Sequence, residues 1–261
     1  MIFLKTDEEI ELLRDSNLLL GKTLAELAKV IAPGVTTKQL DKIAYEYICD
    51  NGGTPSCLGY EGYPATLCTS VNEQVVHGIP SDDVVLKEGD IISVDTCVLK
   101  NGFHSDSAYT FPVGEIAPET MALLRTTKEA LYKGIEQAVA GHRMGDVSAT
   151  IQDYCEKRGY SVVREFVGHG IGRDMHEAPE VPNYGRKGNG IVLKSGMVLA
   201  IEPMICLGRR NLIFQNDGWT TRTVDRKPAA HYELSVAVRN GKADILSTFQ
   251  YIEEVLKERF I

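Results

Sequence analysis

Two stretches of the chain are copies of one another at a fixed spacing. VVLKEGDIISVD ends at Asp95, and IVLKSGMVLAIE ends at Glu202, 107 residues later. Val85 aligns with Val192, Leu86 with Leu193, Lys87 with Lys194 and Gly89 with Gly196. Apolar positions follow as Ile91/Val198, Ile92/Leu199 and Val94/Ile201, and the acids Asp95 and Glu202 then coincide. The same offset joins Gly34 to Gly141, Leu40 to Val147, Ala44 to Ile151, Tyr47 to Tyr154 and Gly52 to Gly159. A chain built this way must fold as two like units: a helix pair, then strands, then a strand ending in an acid.

Local signals fill in the units. Thr6 and Glu9 form a capping-box pattern ahead of helical apolar spacing that runs to about Val30, where Pro33-Gly34 ends it. A second helix starts at Thr36 or Thr37, carries Leu40, Ile43, Ala44, Tyr47 and Ile48 on one face, and stops at Gly52-Gly53. The second unit predicts helices over about 118–139 and 146–158, and a strand SVVREFV over 161–167. Asn101-Gly102, Asp217-Gly218 and Asn240-Gly241 read as hairpin turns. No Pro/Ser-rich linker separates the units. The class is α+β: a curved, mainly antiparallel sheet with two helix pairs on its outer face. One catalytic domain over residues 1–261 is expected, made of halves at about 1–114 and 115–261.

The acids share a direction. A two-residue loop at Asn101-Gly102 sets Asp106 opposite Cys97 and Asp95 opposite Ala108, so both carboxylates lie on one sheet face as diagonal neighbours. In HYELSVAV, Tyr232, Leu234, Val236 and Val238 form an apolar face, which turns Glu233 to the other side with His231. Glu202 ends an apolar strand, where an unpaired charge is costly. Asp95, Asp106, Glu202 and Glu233 are therefore expected on strands and converging. His169, in FVGHGIG after the 161–167 strand, is the imidazole expected to join them, with glycines on both sides allowing close approach. Taken singly, each acid reads equally well as a surface acid or a partner of Arg or Lys; the repeat favours the ligand reading. An oxygen-rich set with one His suits Mn²⁺, Fe²⁺ or Co²⁺ better than a thiolate zinc site, with catalytic Zn²⁺ a further candidate. Four acids exceed the charge of one divalent ion, which favours two bridged ions.

Charge and cysteine usage limit the partners. A net charge of −8 argues against nucleic acid or an anionic membrane as the main partner. The N-terminal apolar run is too short for a secretory signal, and no stretch is long enough to span a bilayer. Six scattered cysteines then read as reduced thiols of a cytoplasmic protein. A monomer is expected, since no heptad or amphipathic arm is present.

With these residues in view, the chain resembles the type I methionine aminopeptidases, of the pita-bread fold shared with aminopeptidase P and prolidase. The carrying segments are CLGYEGYPATLCTSVNEQVVHGIP, DTCVLKNGFHSDSAYTFPVG, GHGIGRDMHEAP, IEPM, NDGWT and HYE. The resemblance implies that Asp95, Asp106, His169, Glu202 and Glu233 bind two divalent ions, and that His77 and His176 line the cleft and contact substrate. It implies a methionine pocket of Cys57, Tyr60, Tyr63, Cys68, Trp219 and Met175, the last standing where some bacterial members carry an aromatic residue. In the implied reaction Glu202 passes a proton from water to the leaving amide nitrogen, His176 helps stabilise the oxyanion, and a small second residue is required. N-terminal methionyl peptides and nascent chains would be substrates, with transient ribosome contact to which Arg209-Arg210 could add. Two alternatives remain on the same fold: an X-Pro aminopeptidase or prolidase, and a non-catalytic ribosome-associated binding protein.

Overall fold

A computed structural model describes residues 1–259 and 261 of the chain. Helix α1 (Asp7–Val30) begins where expected, because the Thr6 hydroxyl accepts the Glu9 amide while the Glu9 carboxylate accepts that of Thr6. Helix α2 (Thr37–Asp50) is capped by the same exchange between Thr36 and Gln39. Their counterparts are α3 (Pro118–Ile135) and α4 (Met144–Glu156). The sequence offset recurs in the hydrogen bonds. Gly34 N donates to Leu86 O at 2.8 Å and Gly141 N to Leu193 O at 2.9 Å. Isolated bridges join Thr36 to Val85 and Arg143 to Val192.

Helix boundaries in the second unit differ slightly from expectation. α3 stops at Ile135 because the following segment turns to pair with Arg239, Ala140 N donating to its carbonyl. α4 starts early, with the Asp146 carboxylate taking the Arg143 amide at 2.8 Å. A further helix, α5 (Gln250–Leu256), was not foreseen; it lies along α1, where Gly21 lets the Thr248 carbonyl come close.

Among the described residues the strand pairings are all antiparallel but divide into four short sheets. The longest ladder joins Ile91–Lys100 to Phe103–Pro112 around Asn101 and Gly102, both at positive φ, as a two-residue primed turn requires. Asp217-Gly218 and Asn240-Gly241 also connect antiparallel strands, but through longer loops at 215–220 and 238–243. Another sheet runs Asp244–Ile245, Leu234–Ala237, Val198–Ile201, Gly168–Gly170, Glu177–Val181. One large apolar cluster takes Leu24 from α1, Leu40 from α2, Leu131 from α3, Ile151 from α4, and Val94 and Ile201 from the duplicated strands. Through this cluster the four long helices pack on the duplicated strands.

Three expectations need correction. The strand placed over 161–167 is only Ser161–Val162, and His169 lies within a strand of its own, opposite Ala200. Glu202 and Glu233 are not on strands. The ladder Ile201–Leu234 and the ladder Met204–His231 share one register, and the two acids stand opposite each other in the break between them. Pro203 cannot donate to a ladder, and the Glu233 amide turns away to Ala108 O at 2.9 Å. Among the described residues no helix is long and apolar enough to cross a membrane.

Close backbone approach underlies this part of the sheet. A Cβ on Gly168 would stand 2.3 Å from the Ala200 carbonyl, whereas one on Gly141 meets open space and faces only its positive φ. Gly141→Ala is expected to cost about 1–2 kcal/mol, and Gly168→Ala clearly more, since it forces two strands apart. Thermal unfolding of the two variants tests the order; equal shifts would contradict it.

Candidate metal centre and adjoining pocket

Asp95 and Asp106 adopt the pairing expected of them, Asp95 with Ala108 and Cys97 with Asp106. Three hydrogen bonds then fasten this hairpin to the segment bearing Glu233. Glu233 N reaches Ala108 O, Ser107 Oγ donates to Glu233 O at 2.7 Å, and Ser235 Oγ donates to Asp106 O at 2.9 Å. Asn183 Nδ2 donates to the Glu202 carbonyl at 2.9 Å, fixing the backbone in the ladder break.

His169 completes the cluster. Its Nδ1 lies 2.9 Å from the Gly170 carbonyl, which can only accept, so Nδ1 carries the hydrogen. Nε2 then faces the acids, 3.6 Å from Asp106 Oδ2 and 3.7 Å from Glu202 Oε1. This is the orientation in which a backbone carbonyl holds a metal-binding imidazole. Ligand atoms of Asp106, His169 and Glu233 lie within 4.8 Å of one another.

Unmet demand at the centre is specific. Asp95 Oδ1, Asp106 Oδ1 and Glu233 Oε1 are buried without a hydrogen-bond partner. Burial pushes the Asp95 carboxyl well up, and the Asp106 charge adds to it; Glu233 is raised by burial, then by Asp106 and Glu202. Burial would raise Asp106 too, but the His169 imidazole outweighs it and holds the group low. For His169, burial opposes the charge, yet Asp106 and Glu202 carry it up to about 9. Acceptor oxygens crowded and buried in this way fit divalent cations.

Two hollows meet at this cluster. One, of about 170 Å³, holds all six residues expected of the methionine pocket: Cys57, Tyr60, Tyr63, Cys68, Met175 and Trp219. Tyr63 and Trp219 meet edge to face at 5.0 Å, and Met175 is buried in the wall. The other, of about 260 Å³, contains His169, Glu202 and Phe166. His77, His176 and Asp95 belong to both. A larger groove of about 570 Å³ beside Ala28, Phe111 and Ile116 brings no histidine or thiol, so chemistry rather than volume locates the site.

His176 Nδ1 lies 2.8 Å from the Tyr60 hydroxyl, and its ring is 4.3 Å from that of His169. His77 sits at φ +58° between the edges of Phe166 and Trp219. That left-handed conformation is costly for a non-glycine residue and typical of functional positions. Burial lowers the pKa of both imidazoles.

Two groups here escaped the sequence reading as site members. His231 is buried, with Nε2 3.6 Å from Glu202 Oε2 and no hydrogen-bond partner. Cys97 lines the apolar hollow. A signal existed for each: His231 alternates with Glu233, and Cys97 with Asp95.

The description metallopeptidase family M24 matches residues 11–240, and the chain belongs to that family. Within it, the chain is 52% identical over 247 residues to a methionine aminopeptidase of Clostridium perfringens, covering 95% of this chain and 99% of that one. The crystal structure of a methionine aminopeptidase from Thermotoga maritima superposes with a TM-score of 0.93 at 42% identity, covering 95% of this chain and all of the other. A Xaa-Pro dipeptidase from Bacillus anthracis shares the fold, with a TM-score of 0.74 at 22% identity; the match covers 94% of this chain but 62% of that one.

The titration pattern has a measurable sign. Folded metal-free protein holds the His169 proton to about 9, while an unfolded His releases it near ~6.5. On account of His169 the folded chain binds more protons between those values, so this contribution to stability falls as pH rises through them; Lys128, lowered by burial to about 8, acts in the opposite sense from there upward. Asp95 and Glu233, also raised, act in the same sense from the carboxylate range upward; Asp106, held low, opposes them only in acid. The Tm of metal-free protein should drop from pH 6.5 to about 8, below the range where Lys128 opposes it, and saturating divalent metal should flatten the drop, because a ligated imidazole binds no proton. A flat profile without metal would contradict this.

Proposed function

We propose that this chain is a metal-dependent aminopeptidase that removes the N-terminal methionine from peptides and nascent proteins whose second residue is small. The observation that carries this reading is the junction of the two hollows. A small cavity of thiols, aromatic rings and Met175 opens onto the acid cluster at His77 and His176. A flexible thioether side chain suits such a cavity, and its small volume admits one residue ahead of the scissile bond.

Asp95, Asp106, His169, Glu202 and Glu233 would hold two divalent ions in this reading. Co²⁺, Fe²⁺ and Mn²⁺ suit the donor set, with Zn²⁺ a further candidate. Bound there, such ions supply Lewis acidity toward the scissile carbonyl and a water of lowered pKa. The protein's own groups do the rest. Glu202, between His169 and His231, takes a proton from the attacking water and delivers it to the leaving amide nitrogen. His176, oriented by the Tyr60 hydroxyl, donates toward the carbonyl oxygen as it gains charge. His77, fixed by its ring contacts, touches substrate beside the scissile bond. The two duplicated halves act as one catalytic domain, and the enzyme works as a cytoplasmic monomer on chains emerging at the ribosome. Six free cysteines, five of them buried, support a reducing compartment.

Hydrolysis of Met-Ala-Ser against Ala-Pro-containing peptides tests the reading. Release of methionine from the first is expected; preference for the second would assign the chain to X-Pro cleavage, and no cleavage of either would leave a binding protein. Glu202→Gln should lower kcat at least a hundredfold, the order of a lost acid–base group. His77→Ala should lower the rate with metal content unchanged; loss of metal in that variant would put His77 among the ligands.

A further inference from the structure

Residues 171–176 display Met175 at one hollow and His176 at both, and form no helix or strand before Glu177 opens the strand Glu177–Val181. Their shape is held by Glu177. One carboxylate oxygen, Oε1, accepts the Arg173 amide at 2.9 Å and the Asp174 amide at 3.4 Å, closing the loop on itself. The other, Oε2, meets the ammonium of Lys5. Both side chains are nearly inaccessible, 5% exposed for Lys5 and 4% for Glu177. A buried lysine–glutamate pair is weak evidence for stability, since desolvation offsets its attraction. Its location therefore calls for another role.

Lys5 belongs to the N-terminal segment, which is itself tied down at both ends. Ile2 bridges to Ala178, just beyond the loop, and Lys5 N donates to Gly196 O at 2.7 Å. Gly172 gives a second, independent sign that the pair fixes the loop. A Cβ there would stand 2.4 Å from Glu177 Oε1 and 2.5 Å from Lys5 Cε, so the loop is wrapped directly on the ion pair. From the other side, His104 N donates to Gly172 O at 2.8 Å.

We propose that Lys5 and Glu177 are positioning residues for the aminopeptidase reaction: the N-terminal segment straps the loop 171–177, and their ion pair sets the placement of His176 at the scissile carbonyl and of Met175 in the pocket wall. This rests on the function proposed above. Both act through the loop.

The test uses Lys5→Met, Glu177→Gln and the double variant, with three readouts on the full chain: Tm, amide exchange, and kcat with KM for Met-Ala-Ser at matched metal content. Lys5→Met leaves a lone buried carboxylate and should lower Tm. Arg173 and Asp174 amides should exchange at least tenfold faster in it, while the amide of Ile171, bonded to Val198 O, keeps its protection. With metal content unchanged, kcat should fall about tenfold or more, as expected for an angstrom-scale misplacement. The double variant removes both charges and should regain much of the Tm while kcat stays low. Recovery of kcat together with Tm, or unchanged exchange at Arg173 and Asp174, would reduce the pair to a structural contact and overturn the proposal. Failure of the unaltered protein to release methionine would instead sink the proposed function, and the exchange result would stand apart from it.

Discussion

Carboxylates packed together away from the surface repel, and that repulsion organises this molecule. Asp95, Asp106 and Glu233 each bury an oxygen with no hydrogen-bond partner, and Glu202 stands beside them. Like charges a few ångströms apart cost several kcal/mol at the effective dielectric of a protein interior, about 4 kcal/mol at 4 Å. His169 alone does not balance the set, since Asp95 and Glu233 stay raised beside it. Cations between the acids turn the same crowding into binding energy.

The fold supplies the means to keep the acids together regardless. A hairpin of two ten-residue strands and a two-residue turn sets Asp95 and Asp106 as diagonal neighbours. Side-chain hydroxyls of Ser107 and Ser235 tie that hairpin to the Glu233 segment. Pro203 interrupts a ladder that otherwise keeps one register, freeing Glu202 and Glu233 to face each other out of the pleat. Duplication accounts for the approximate symmetry: Asp95 lies within Ile91–Lys100 and Glu202 directly follows Val198–Ile201, at equivalent positions of the two repeats on equivalent scaffolds of helix pairs.

Much of this was legible in the chain itself, for definable reasons. The offset of 107 residues is a property of composition at aligned positions, and it survives in hydrogen bonds such as Gly34–Leu86 and Gly141–Leu193. The Asn101-Gly102 turn fixed a register that periodicity could extend to Asp95 and Asp106. Other features depend on long-range contacts that no local pattern carries. His169 sits on a strand because Ala200 pairs with it, although glycines surround it. Glu202 and Glu233 read as strand residues by alternation, and only the partnering of Glu233 N with Ala108 shows why they are not. His231 looked like one more residue on a small polar face until its ring was found against Glu202. The α5 helix is too short for a periodic signal, and its position comes from packing on α1.

Anomalous diffraction from crystals loaded with Mn²⁺ and recorded near the manganese edge tests the account at its root. Two peaks are expected in the cleft, about 3.5–4 Å apart, with Asp95, Asp106, His169, Glu202 and Glu233 supplying the protein ligands. A cleft without manganese at saturating concentration, or peaks bound to other side chains, would contradict it.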